Sequence, residues 1–143
     1  MTAALSDLPF LNLLLFQAAG VSFAADLEQI ARMRDLAEEP DRAELHWFHE
    51  EIGMESVEPA QYGAPTVLTL RSDAAAPFRI VVDAMEDIVE VPIGDIQPFP
   101  PLVAGRALEN GLWGVIPRNG IMILLVDLER LAHGNRCATR REG

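Results

Sequence analysis

The chain has 143 residues, a length that fits one domain able to bury roughly 70% of its unfolded surface, so folding requires neither disulfide nor metal. Its formal net charge is -11 and all eleven cations are arginine, which disfavours nucleic acid and anionic lipid as partners. Cys137 is the single cysteine, so a disulfide framework is excluded and a reducing, cytoplasmic setting is expected.

The first apolar stretch, "LPFLNLLLFQAAGVSFAA", has the length of a signal-peptide core. Asp7 precedes it with no Lys or Arg, and Asn12 and Gln17 interrupt it, so export is not expected. No run reaches the roughly twenty apolar residues that a membrane helix needs. The stretch reads instead as two strands joined at Ala19-Gly20, the glycine supplying the positive φ of a tight hairpin. Asp26 has the chemistry of a helix N-cap, and Gln29 stands where its capping-box partner belongs. One helical turn or a wide loop is expected next, with Leu27, Ile30 and Met33 on one side. The polar stretch around Pro40 is expected to be exposed. Leu45, Phe48 and Ile52 recur at helical spacing before Gly53, predicting a short amphipathic helix over 43–54.

Two prolines and a glycine make 56–65 a loop. "TVLTLRS" and "FRIVVD", separated by "DAAAP", form a second hairpin with Phe78, Ile80 and Val82 on one face. Asp83 to Asp87 reads as a turn and "IVEV" as the next strand. Pro92, Pro98, Pro100 and Pro101 forbid a central strand from there to Leu102. "GLWGVIPRNGIMILLVDLERL" holds two strands around Asn119-Gly120, and Asp127 caps a short helix from Leu128 to Leu131 that Gly134 ends. Short strands with regular turns argue for small barrels or a sandwich. "FAADLEQIARM" echoes "IVVDAMEDIVEV", and "LHWFHEEIG" echoes "LLVDLERLAHG", which suggests a duplicated architecture.

The succession of Val82-Asp83, Asp87-Ile88, Pro98 to Pro101, Gly114 and Val126-Asp127-Leu128, after the opening "LLLFQAAGVSFAADLEQI", resembles a CheW-like domain, the coupling adaptor of bacterial chemotaxis arrays. The resemblance covers most of the chain and implies a mainly β fold of two packed, SH3-like, five-stranded β-barrels without an active site. One domain would span 1–143, its first barrel taking about 10–70 plus C-terminal elements and its second about 71–126. The implied partners are the regulatory domain of a CheA-type histidine kinase and the cytoplasmic tip of a methyl-accepting chemoreceptor, with no cofactor and no metal. The resemblance sets Leu27, Ile30 and Met33 beside the receptor groove and Val82-Asp83 in a motif strand, so these five are the candidate partner-binding residues. One departure counts against ordinary receptor contact. The family's Asn-Leu-Arg-Gly hairpin is missing, because only Ala31 to Glu44 lies where two strands would need roughly a dozen residues. Trp47 also replaces the family's first Asp. An abbreviated first barrel follows, and with it a relative that binds kinase alone or self-associates.

The acids Asp83, Glu86, Asp87, Glu90 and Asp95 lack the convergent His or Cys of a transition-metal site and the Asp-x-Asp-x-Asp-Gly of a calcium loop. Solvated turn residues are the expectation, with Asp83 bonding backbone at its corner. A carboxylate-based hydrolase or ligand-binding barrel stays open, and a closed pocket holding two of Asp83, Glu86, Asp87 and Glu90 would mark it. His46 and His49 are expected to be solvated on a helix, since the order is not His-Glu-x-x-His. Trp47 and Trp113 are expected in the core; an exposed one would mark an interface. "PFPP" has PxxP spacing, which a connecting loop explains without a partner.

Overall fold

The structure, a computed structural model, describes residues 9–54, 62–72 and 77–133. The expected turn "DAAAP" falls largely outside these residues, as does most of the 56–65 loop and Gly134. The fold is mainly β. Strands β1 (Phe10–Ala18) and β2 (Val21–Asp26) form the expected hairpin, with Ala19 and Gly20 both at positive φ (53° and 78°). A 3-10 turn (Leu27–Gln29), β3 (Ile30–Asp35), a second 3-10 turn (Leu36–Glu38), β4 (Leu45–Trp47) and the one-turn helix α1 (Phe48–Glu51) follow. Then come β5 (Thr66–Leu70), β6 (Arg79–Pro92), a 3-10 turn (Ile93–Asp95), helix α2 (Pro101–Glu109), β7 (Leu112–Arg118) and β8 (Ile121–Val126). Residues 128–133 close the described chain as helix α3.

The strands run in the order β3-β5-β6-β1-β2-β8-β7, and β4 pairs in parallel with the start of β6. Two units share this path. Among the described residues one, of four strands, contains β3, β4, β5 and the first part of β6; the other, of five, contains β1, β2, β7, β8 and the rest of β6.

Why "LNLLLF" is apolar without alternation follows from where β1 lies. Leu13 and Leu15 enter a core with Ala24, Val91, Ile116, Ile123 and Leu125. Leu14, Phe16 and Ala18 point the other way, into a larger core with Phe23, Phe48, Leu68, Ile80, Val82, Leu128 and Leu131. The β1–β2 ribbon is therefore a wall between two cores, and a strand buried on both faces loses the polar half of its pattern. Each such Leu or Phe contributes about 1.5–3 kcal/mol by burial. Phe48 packs edge-on against Phe16 (4.9 Å) and Phe23 (4.7 Å), locking α1 onto that wall. The backs of β5 and β6 are covered in turn: Val67 and Val81 meet Tyr62, Leu36, Leu45 and Trp47. Glu39, buried, holds that covering segment through ion pairs to Arg34 (3.8 Å) and Arg79 (3.6 Å).

Four expectations are corrected. Residues 83–87 form no turn: β6 runs through them with a bulge, because Leu15 pairs with Asp87 and Gln17 with Asp83, and Ala84 absorbs the irregularity at φ 42°. Residues 30–35 are a strand rather than a helical turn or loop. The register slips between Ile30 and Arg32, and that extra residue returns Ile30 and Met33 to one face. The 43–54 helix shrinks to α1, since Leu45 to Trp47 pair with Arg79 to Val81. The proline-rich connection contains a helix, with Pro101 in its first turn, where a missing N–H costs nothing.

Candidate partner-binding surface

Asp83 is a structural corner residue. Its carboxylate accepts from the N–H of Ala64 (2.7 Å) and of Gly63 (3.2 Å), pinning the 62–65 loop across the kink in β6. The other acids lie apart from it. Glu86 and Asp87 are exposed on an open depression of about 370 Å³ with Gln17 and Arg118 at its edge and Leu15 and Ile123 in its floor. Asp87 Oδ1 accepts from the N–H of Ile88 (2.8 Å). Two carboxylates thus share a surface hollow rather than the closed pocket that a hydrolase reading asked for. Among the described residues, no group of three or more His, Cys, Asp or Glu is arranged to hold a metal ion.

His49 is buried, which corrects that expectation for it, and His46 is half-buried. His46 stacks on Phe78 (4.3 Å between rings) and its Nδ1 lies 3.6 Å from Glu51. His49 is 1% exposed; its N–H donates to the Tyr62 hydroxyl (3.2 Å), which lies 3.0 Å from Nδ1. Burial pushes the Tyr62 phenol up to about 12, the His49 N–H opposing and the Asp83 and Glu50 charges adding to the shift.

The five candidate binding residues separate. Ile30 (4% exposed) and Val82 (0%) belong to the larger core, so neither side chain can meet a partner, which corrects their place in the candidate set. Leu27 and Met33 are half-buried at the margin of the same core. Asp83 is occupied by its loop.

The sequence reading missed where apolar surface lies. Helix α2 buries no residue, and Leu102 is 98% exposed, with Val103 and Leu108 exposed beside it. Trp113 on β7 is exposed over a small hollow that Asp26, Gln29 and Asp127 share, in contrast to half-buried Trp47, which packs edge-on against Tyr62 (5.1 Å). Ile121 and Met122 project at the β7–β8 turn; Phe10 and Ile88 project from β1 and β6, and Ile93 from the 3-10 turn after β6. Apart from Met85 at the kink of β6, every large exposed hydrophobic among the described residues thus lies on the five-stranded unit or the segments bordering it. Single exposed apolar side chains need no explanation, but their confinement to one unit does.

The two units are tied by α3. Asp127 and Gln29 cap it together: Gln29 Nε2 donates to Asp127 Oδ1 (2.9 Å), and the Leu128 N–H donates to Gln29 Oε1 (3.0 Å). Gln29 therefore caps a helix whose first N–H lies 99 residues away rather than its own turn, where Asp26 alone accepts from the Glu28 N–H. Arg130 Nε donates to the Leu108 carbonyl at the end of α2 (2.6 Å).

This arrangement has a counterpart among solved structures. The chain superposes with a TM-score of 0.64 on the crystal structure of the scaffolding protein TtCheW from Thermoanaerobacter tengcongensis, covering 85% of this chain and 86% of that one. The fold is CheW-like. At 14% identity the likeness is one of fold. No protein-family model matches the sequence, and no curated protein matches it. Among the described residues no helix is long and apolar enough to cross a membrane.

Proposed function

We propose that the protein is a non-catalytic, cytoplasmic CheW-like adaptor in chemosensory signalling that binds the regulatory domain of a CheA-type histidine kinase and couples it to a chemoreceptor. The observation that carries this reading is the CheW-like fold over most of the chain, joined to exposed apolar side chains concentrated on the five-stranded unit. Apolar anchors such as Leu102 and Trp113 are the kind of residue that a protein interface buries at its centre. Affinity would come from covering them, and no side chain need titrate. Leu27 and Met33 remain the candidates for contact on the other unit.

The four-stranded unit favours a narrower second reading, in which kinase binding is kept and receptor binding is lost. The missing Asn-Leu-Arg-Gly hairpin and the four strands that the described residues form there, against five in the sister unit, both support it. The purified protein should be tested separately against a kinase regulatory domain and a receptor cytoplasmic tip by affinity capture. Capture of both supports coupling, capture of the kinase alone supports the narrower reading, and capture of neither defeats both.

A further inference from the structure

We propose that the unpaired edge of β3 accepts an extended strand from a different protein, one in which apolar and acidic residues alternate. The inference rests on the reading of the chain as a docking module, and it assigns a second surface on the unit opposite the apolar anchors. The two ends of the sheet differ. At β7, Gln97 and Val115 exchange bonds of 2.9 and 2.8 Å, and Pro117 has no N–H to offer, so that edge is partly closed. At the other end β3 has β5 as its one partner among the described residues.

The phase of the ladder decides which groups are free. The Leu36 N–H donates to the Pro65 carbonyl (3.0 Å), marking a bonded position. Stepping back by twos, Arg34 opposite Val67 and Arg32 opposite Thr69 occupy bonded positions as well. The N–H and C=O groups of Met33 and the N–H of Asp35 consequently point outward, ready for an added strand, while the Asp35 C=O serves the 3-10 turn that begins at Leu36.

Side chains set what that strand must carry. Met33 lines a depression of about 310 Å³ with Thr66 and the 44%-exposed Met85, which suits an apolar residue directly opposite Met33, and Arg34, Asp35 and Glu38 line it too. Arg32 and Arg34 flank Met33 along the strand, Arg34 reaching the same depression and Arg32 a hollow that Glu39, Asp41, Glu44 and Arg79 also line. Arg32 is exposed and makes no ion pair among the described residues; Arg34 reaches Glu39, which it shares with Arg79. Acids at the two positions flanking the apolar residue would meet them. A second copy of this chain fits badly, because antiparallel pairing about a twofold axis sets Arg32 against Arg34, or one of them against itself, and like charges directly opposite destabilise a pair.

The test uses the full chain and two probe peptides, one carrying Glu-Val-Glu-Val-Glu and one carrying Lys-Val-Lys-Val-Lys. Amide exchange is followed residue by residue. The acidic peptide should slow exchange at Met33 and Asp35 about tenfold or more, and the basic peptide should not. Asp35 has φ -59° and ψ 140°, a conformation that proline adopts, so Asp35→Pro removes an outward donor without touching the bonds to β5. That variant should keep its melting temperature and bind the acidic peptide about fivefold more weakly. Arg32→Glu should shift the preference toward the basic peptide. Absence of protection at β3, or unchanged affinity in Asp35→Pro, overturns the proposal. A dimer that Asp35→Pro dissociates overturns the choice of a different protein as occupant. Kinase capture through Leu102 is read separately, so either surface can fail without the other.

Discussion

Gln29 supplies the strongest test of how the two units are joined. Gln29→Ala deletes the bond from the Leu128 N–H and the bond to the Asp127 carboxylate, while Asp127 Oδ1 keeps the Arg130 N–H at 3.2 Å. A neutral bond contributes about 1 kcal/mol, and one to a carboxylate somewhat more; partial exposure reduces the latter, so the expected loss is about 2 kcal/mol. For a chain of this length that lowers the melting temperature by about 7 °C. Differential scanning fluorimetry gives the global figure, and amide exchange over 128–133 should rise more than exchange in β1, because the helix loses its cap while the wall keeps its core. Gln29→Glu is the control. It retains an acceptor for the Leu128 N–H but sets a second carboxylate against Asp127, so it should be markedly destabilising at neutral pH and recover as pH falls through the carboxylate range, where the repulsion is titrated away. If Gln29→Ala melts within about a degree of the parent, α3 is held by Leu128 and Leu131 alone and the tie between the units is ornamental.

A Cβ at Gly114 would lie 2.9 Å from Ile96 Cγ2 and 3.2 Å from the Gln97 carbonyl, where the chain crosses to bridge Val115; Gly114→Val should cost about 1–3 kcal/mol in urea unfolding. Asp83→Ala should cost about 1–2 kcal/mol by freeing the N–H groups of Gly63 and Ala64, visible as faster exchange at both amides. Tyr62 is the sole tyrosine and there is no lysine, so the alkaline limb of stability isolates one phenol: its contribution is complete below pH 10.0 and is lost as pH rises toward about 12, a slope that Tyr62→Phe should remove. Leu102→Ser should change stability by less than about 0.5 kcal/mol yet weaken capture of a kinase regulatory domain, and undiminished capture would take α2 out of the interface.

The parts of the fold legible in the sequence were those with local causes. Ala19-Gly20 and Asn119-Gly120 specify their hairpins through backbone conformation, and an apolar run flanking each has no better use than a buried strand. Bulges defeated the periodicity elsewhere. Ile30 and Met33 are three apart, which is helical spacing, and only the slipped register at Ala31 lets a strand place both on the core. The acidic run after Val82 reads as a turn because a strand that kinks between two units exposes the middle of its length. For α2 the signal was present, Pro100-Pro101 before the helix and Gly111 at φ 79° after it, but the prolines were weighed only as strand breakers. The candidate surface was hardest. Whether Trp113 is wet and Val82 dry depends on which distant segments cover each face, and Gln29 shows how far that reach extends.

Placing the apolar anchors and the free β3 edge on opposite units has a mechanical consequence. A strand buried on both faces cannot be shared loosely: β1 gives Leu13 and Leu15 to one core and Leu14 and Phe16 to the other, so rotating one unit against the other would drag a close-packed wall through both interiors. β6 adds a covalent strut, pairing with β5 before its kink and with β1 after it. Two partners bound at the proposed surfaces would keep a fixed separation and orientation. Any signal passed between them would therefore travel as geometry imposed on the assembly, since within the protein neither sheet can move without unpacking the other.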